Sequence, residues 1–265
     1  MPAAVETVDL TRSFAEITAV DRLNLTVSGD EVFGLLGPNG AGKTTTIKML
    51  TTLLPPTSGR ARVGGFDVTT QQAEVRRSIG YVPQLLSADG QLTGRENLRL
   101  SARLYHMPRS ERDGRIEDAL RLMNLTDAAG RLVRTFSGGM IRRLELAQAM
   151  LHRPSVLFLD EPTIGLDPTA RATVWDHVQD LQASMGTAIV LTTHYLEEAE
   201  LLCDRVAIMH RGVIAAIGTP AELTAQVGPS ATLDDAFMHF TGADINEGGR
   251  FRDVARTRRT ASRLG

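Results

Sequence analysis

The chain is poor in cysteine, lysine and aromatic residues, and it has no long apolar run. Its one cysteine among 265 residues, Cys203, rules out an internal disulfide and any cysteine-cluster zinc site. Lying in an apolar helical stretch, it reads as a buried structural thiol. No stretch approaches the roughly 18 uninterrupted apolar residues that a membrane-spanning helix needs, and the start, MPAAVETVDL, lacks the basic-then-apolar order of a signal peptide. The expectation is a chain that begins and stays in the cytoplasm. Lys43 and Lys48 are the only lysines, so arginine supplies the rest of the 29 basic residues, set against 31 acidic ones. The formal charge of −2 gives no overall pull towards nucleic acid or an anionic membrane surface. What is present, 42% hydrophobic and 23% charged residues, suits a globular chain with a sizeable core in one large domain or two small ones.

Short apolar runs alternate with longer stretches of helical periodicity, which argues for an α/β fold around a mostly parallel sheet. Candidate core strands are Val32 to Leu36, Val156 to Leu159, Ala188 to Thr192 and Val206 to Met209, each short, apolar and bounded by polar or turn residues. Helix starts are marked by Thr93 with Glu96, by Thr219 with Pro220 and Glu222, and by Thr232 with Asp235, because a hydroxyl three residues before a carboxylate satisfies two free backbone N–H groups. Asp167 followed by Pro168 is a fourth. Between about residues 92 and 150 the strand signal disappears, and Ile116, Ala119, Leu120 and Met123 recur at helical spacing, predicting a helical insert. After Gly228 one amphipathic helix remains, with Leu233, Ala236, Phe237 and Phe240 on one face. The expected division is a main domain over 5–235, then the end of that helix and an arginine-rich tail over 236–265. That tail is expected to be disordered; Arg250, Arg252, Arg256, Arg258, Arg259 and Arg263 read as solvated, with contact to anionic lipid as the alternative.

The chemistry begins at Gly37-Pro38-Asn39-Gly40-Ala41-Gly42-Lys43-Thr44, which fits G-x-x-x-x-G-K-[ST] between the apolar run VFGLL and the helix-like TTTIKML that opens with Thr44 and Thr45. Glycines let the backbone curl until successive N–H groups and the helix start point at phosphate oxygens. Lys43 would reach the β and γ phosphates, and the Thr44 hydroxyl would ligate Mg²⁺. The other reading is a glycine-rich turn between strand and helix. Val156 to Leu159 runs into Asp160-Glu161, placing two carboxylates at the edge of a parallel sheet where α/β folds bind ligands. Asp160 would hold the Mg²⁺ shell and Glu161 would orient or deprotonate an attacking water, whereas acidic residues can also simply end a strand.

Phe136-Ser137-Gly138-Gly139-Met140 precedes IRRLELAQAML and stands before DEP, an order that ordinary GTPases and kinases do not show. With Gln84 in YVPQ, Gly165-Leu166-Asp167 and His194 in LTTHYLEEAE, the chain from about Val5 to Gly228 resembles the nucleotide-binding subunits of ATP-binding-cassette (ABC) transporters. Within them it is similar to the type-2 exporter branch that includes the daunorubicin/doxorubicin resistance ATP-binding proteins. Its signature departs from the family's LSGGQ at Phe136 and Met140 while keeping Ser137, Gly138 and Gly139, and this departure bears on turnover.

The resemblance implies a phosphate-loop ATPase core with a mainly parallel sheet, an N-terminal antiparallel β portion and a helical subdomain. It implies ATP and Mg²⁺ as cofactors, and two copies facing head to tail, with each ATP held by one copy's phosphate loop and the other's Ser137, Gly138 and Gly139. Gln84 would reach the Mg²⁺ or the attacking water, and His194 would contact the γ-phosphate. Phe14 would stack on adenine, or else lie in the core; Asp167 would bridge the copies, cap a helix, or do both. Trp175 reads as core. The implied partner is a separately encoded multi-span permease, which would hold the ATPase at the cytoplasmic face of the membrane. Export of a drug or similar amphipathic molecule is the leading reading, an importer ATPase and an ATPase acting on nucleic acid or ribosomes the alternatives. One cassette without a long heptad run or zinc cluster argues against nucleic acid.

Overall fold

The computed structural model of the chain describes residues 3–242 and 245. The arginine-rich tail lies outside the described residues. Two sheets organise the rest. The first is antiparallel, ordered β2-β1-β4-β5, from β1 (Val5–Phe14), β2 (Ile17–Val27), β4 (Ser58–Val63) and β5 (Phe66–Asp67). The second is ordered β10-β9-β3-β8-β7-β6 and uses β3 (Val32–Leu36), β6 (Ile79–Val82), β7 (Val156–Asp160), β8 (Ala188–Thr193), β9 (Arg205–His210) and β10 (Val213–Gly218). Its pairs are parallel except at the β9–β10 edge, which is an antiparallel hairpin.

The apolar runs are continuous because both faces of this sheet are covered. Along β7, Val156 and Phe158 turn to a cluster shared with Phe33, Leu35, Ile47 and Leu50. Leu157 and Leu159 turn the other way, to a cluster with Leu36, Leu98, Leu144 and Val174. The first cluster joins the antiparallel sheet and α1 (Lys43–Leu50) to the parallel sheet; the second joins the helices on the opposite face.

Residues 92–150 contain no strand, only α3 (Gly94–Leu104), α4 (Arg109–Leu122) and α5 (Gly138–Met150) with two short 3-10 turns between the last two. Ile116, Leu120 and Met123 are buried, as their spacing predicts. The hydroxyl-and-acid pairs at Thr93, Thr219 and Thr232 form reciprocal caps at the starts of α3, α8 (Pro220–Ala225) and α9 (Leu233–Thr241). Asp167 caps α6 (Pro168–Met185), accepting from the Ala170 N–H at 2.9 Å. The helix α9 crosses position 235 without a break and buries Leu233, Ala236 and Phe237. Between α1 and β6, α2 (Gln72–Ser78) aside, the chain is strand, turn and loop; α7 (Leu196–Leu202) follows β8 and carries the buried Cys203 at its end.

Candidate active site at the ends of the parallel strands

Loop 37–42 leaves β3 at the sheet edge and enters α1 through Gly42, which has φ +109°. A Cβ at Gly42 would stand 2.5 Å from the Ala19 carbonyl oxygen, and one at Gly37 would stand 2.2 Å from that of Met209. The loop is therefore pressed against β2 and β9, and only glycine meets both demands at position 42. Further hydrogen bonds hold it: Gly37 N–H donates to the Thr193 carbonyl (3.2 Å), Gly212 N–H to that of Ala41 (2.9 Å) and Ala41 N–H to that of Pro38 (3.1 Å). Gly42→Ala is expected to lower stability by about 2–4 kcal/mol, from backbone strain and overlap together. Thermal unfolding of the two chains checks this.

Lys43 opens α1 and is buried, with its Nζ donating to the Gly37 carbonyl at 2.7 Å and the Pro38 carbonyl at 3.2 Å. The same Nζ stands 3.1 Å from Glu161 Oε1. Burial lowers the pKa of Lys43, and the neighbouring Glu161 and Asp160 oppose that shift. Thr44 Oγ1 donates to Asp160 Oδ1 at 3.1 Å, joining the loop to the end of β7. Asn39 and Gly40 are exposed at the loop's apex, and Thr45 is partly exposed on α1.

Asp160 is the last residue of β7 and 1% exposed. Burial pushes its carboxyl pKa up, against hydrogen bonds from Thr192 (2.7 Å) and Thr44. Glu161 leaves the strand with φ +49°, an uncommon conformation for a residue with a side chain. Its N–H is fixed by the Thr192 carbonyl (3.1 Å) and hydroxyl (3.0 Å). The turn aims its carboxylate at three groups from three separate segments: Lys43, Gln84 and His194. Gln84 Nε2 donates to Oε2 at 3.1 Å, and His194 Nδ1 stands 3.4 Å from Oε1. Burial raises the Glu161 pKa, but His194 and Lys43 outweigh it and hold the carboxyl below its ordinary value. Glu161 is thus ionised at neutral pH while 5% exposed.

Phosphate-loop, acidic-strand, Gln84 and His194 residues therefore meet at one sheet edge. The signature does not join them within the chain. Ser137 caps α5 by accepting from the Met140 N–H (3.3 Å), Gly138 faces Leu166, and Gly139 faces Ala170; Ser137 and Gly138 are exposed. Phe14 sits by the β1–β2 turn, 44% exposed, with the Arg12 guanidinium 4.6 Å from its ring centre. Asp167 serves as the cap already described. Trp175 packs at the core's margin and donates from Nε1 to the buried Glu198 at 2.8 Å.

Thr192 is the site residue that sequence reading passed over. It hydrogen-bonds both acidic neighbours, and the only sequence signal for it is its place two residues before His194 at the end of an apolar run. The left-handed turn at Glu161 has no sequence mark at all.

A glycine cradle at a helix start, a buried lysine and a pair of strand-end carboxylates on a parallel sheet define a phosphate-loop nucleotide hydrolase. The ABC transporter family profile matches residues 20–164. The daunorubicin/doxorubicin resistance ATP-binding protein DrrA of Streptomyces peucetius is 47% identical over 225 residues, 85% of this chain and 68% of the relative. The linearmycin resistance ATP-binding protein LnrL of Bacillus subtilis is 37% identical over 239 residues, 90% of this chain and 75% of the relative. A solved ATP-binding subunit of an ABC transporter superposes with a TM-score of 0.80 at 31% identity, covering 89% of this chain and 99% of that one. The chain belongs to the ABC transporter family, as an ATP-binding subunit that hydrolyses ATP.

Proposed function

We propose that this chain energises export of a drug, antibiotic or similar amphipathic small molecule through a separately encoded membrane-spanning permease. The observation that carries the ATPase half of this reading is the convergence of Lys43, Gln84 and His194 on Glu161 beside the Thr44–Asp160 hydrogen bond. The export half is supported by the resistance proteins it resembles. Among the described residues no helix is long and apolar enough to cross a membrane, so the translocation path is assigned to another chain.

In this reading the loop 37–42 and the start of α1 bind the phosphates, with Lys43 on the β and γ groups and Thr45 beside them. The Thr44 hydroxyl and Asp160 carboxylate are hard oxygen donors placed together, which suits Mg²⁺; Gln84 reaches the same region. When bound, Mg²⁺ neutralises charge on the phosphates. Glu161 accepts the proton of the attacking water, or orients that water, and His194 holds the terminal phosphate. Phe14 offers its exposed ring to adenine. Exposed Ser137 and the N–H groups at the start of α5 form an anion-binding end. Because they stand apart from their own chain's phosphate loop, they fit a second copy's ATP, so that nucleotide closes a head-to-tail homodimer and hydrolysis reopens it. Attachment to the permease then places the subunit at the cytoplasmic face of the membrane.

Expression together with its permease, in a sensitive host, is expected to lower intracellular accumulation of daunorubicin or linearmycin at least threefold, and Lys43→Met should restore it. Unchanged accumulation together with co-purification of a substrate-binding protein, or of ribosomes, would overturn the export reading.

A further inference from the structure

Arg142 and Glu145 form an ion pair one turn apart on α5, with Nη1 to Oε2 at 2.9 Å and both side chains 2% exposed. The other hydrogen bonds of the pair all go to a single loop, while Arg142 Nε is buried without a hydrogen-bond partner. Arg142 Nη1 donates to the Pro83 carbonyl at 2.7 Å and Nη2 to the Gln84 carbonyl at 3.0 Å. Glu145 Oε1 accepts from the Ser87 N–H, and from the Ser87 hydroxyl at 3.0 Å. The loop is thereby pinned at 83–84 and at 87, while Leu85 and Leu86 between the pins are 81% and 51% exposed.

A buried ion pair adds little to stability over a well-packed apolar pair. What this one supplies is position, because its donors and acceptor match the backbone groups of the loop that carries Gln84. Arg142 also lies five residues after Ser137 on the same helix, about 7.5 Å along its axis. One rigid path thus runs from the exposed start of α5 through the ion pair to the Gln84 backbone, and through the Gln84 carboxamide to Glu161. We propose that Arg142 and Glu145 are positioning residues that make the placement of Gln84 at Glu161 depend on the orientation of α5. A tilt of the helix end that meets the second copy's nucleotide then moves the group beside the water-activating carboxylate. This rests on the reading that Gln84 acts at the reacting phosphate.

The test is a cycle on the full chain, following single-turnover ATP hydrolysis, ATP affinity and thermal unfolding. Arg142→Met with Glu145→Leu is expected to lower the hydrolysis rate about tenfold, with ATP affinity and unfolding temperature near those of the parent. In a Gln84→Ala background the same pair should change the rate less than about twofold, since the loss is already taken. A merely structural pair would give independent losses in the two backgrounds, or a falling unfolding temperature, and either result overturns the proposal, as does an undiminished rate. Should the apolar pair not fold, Arg142→Lys replaces it in the same cycle. Lysine keeps the charge but lacks the fork that reaches both carbonyls. If Gln84→Ala alone leaves the rate intact, the role given to Gln84 falls and the pair's role with it. If Gln84→Ala is slow and the pair acts independently, only the pair's role falls.

Discussion

Lys43→Met is expected to weaken ATP binding by at least about 100-fold, corresponding to roughly 2.7 kcal/mol. The size follows from where the ammonium sits. It is buried between the Gly37 and Pro38 carbonyls and the Glu161 carboxylate, where charge-assisted bonds to phosphate are stronger than at a surface. Methionine keeps much of the volume and removes the charge, so loss of binding would not reflect a collapsed loop. Stability should fall as well. Glu161 would keep only Gln84 and His194 as partners, and stripping one member from a buried pair costs about 3–5 kcal/mol. The sign with pH is fixed: Glu161 is held below its ordinary value in the folded chain, so its stabilising contribution is present above the unfolded value of about 4.3 and is lost as pH falls through the folded one. The gap in stability between parent and variant should therefore narrow in acid, where the parent's lysine loses its charged partner. Nucleotide titration and denaturant unfolding at neutral and acid pH measure both effects; affinity within tenfold of the parent would remove Lys43 from phosphate binding.

Much of this arrangement is legible along the chain because its elements are local. Strands β3, β7, β8 and β9 show as apolar runs, since a parallel sheet covered on both faces needs no polar alternation. Their ends differ slightly: β7 keeps Asp160 and β8 keeps Thr193, while β9 runs from Arg205 to His210, because ladder bonds continue past the point where the side chains turn polar. Caps at Thr93, Thr219 and Thr232 are legible because cap and partner are three residues apart. The phosphate loop carries its function in contiguous residues. By contrast, Glu161 meets Gln84 across 77 positions, and nothing in the local sequence reports which carbonyls Arg142 will reach. The same holds for Thr192, whose partners lie 32 and 31 residues away. Sequence order placed Gln84 and His194 near the phosphates through family resemblance alone; the convergence on a single carboxylate is a property of the folded sheet edge.

Glu161→Gln is expected to slow ATP hydrolysis by about 10²–10³-fold while leaving ATP binding within a few-fold of the parent. Loss of a positioned general base accounts for that range. The substitution preserves shape and the left-handed turn, whose N–H bonds to Thr192 come from the backbone and do not depend on the side chain. It changes what the end of that side chain offers. The carboxylate presents acceptors to Lys43, Gln84 and His194 together, whereas an amide has one acceptor oxygen and a nitrogen that must donate. With oxygen towards Lys43, the amide nitrogen faces the Gln84 end, and Gln84 must turn its own oxygen inward to meet it. Binding survives, since phosphate contacts lie with the loop 37–42 and Lys43, but the group that takes a proton from water is gone. Slow hydrolysis with intact binding should then hold the closed homodimer, because the step that reopens it is the one removed. Light scattering during size-exclusion chromatography in ATP should show a dimer for the variant and a shorter-lived one for the parent. Retained turnover would shift the base assignment away from Glu161, to be sought first at His194. A variant that neither hydrolyses nor binds ATP would instead show that Glu161 acts through its ion pair with Lys43, setting the phosphate loop before any water is engaged.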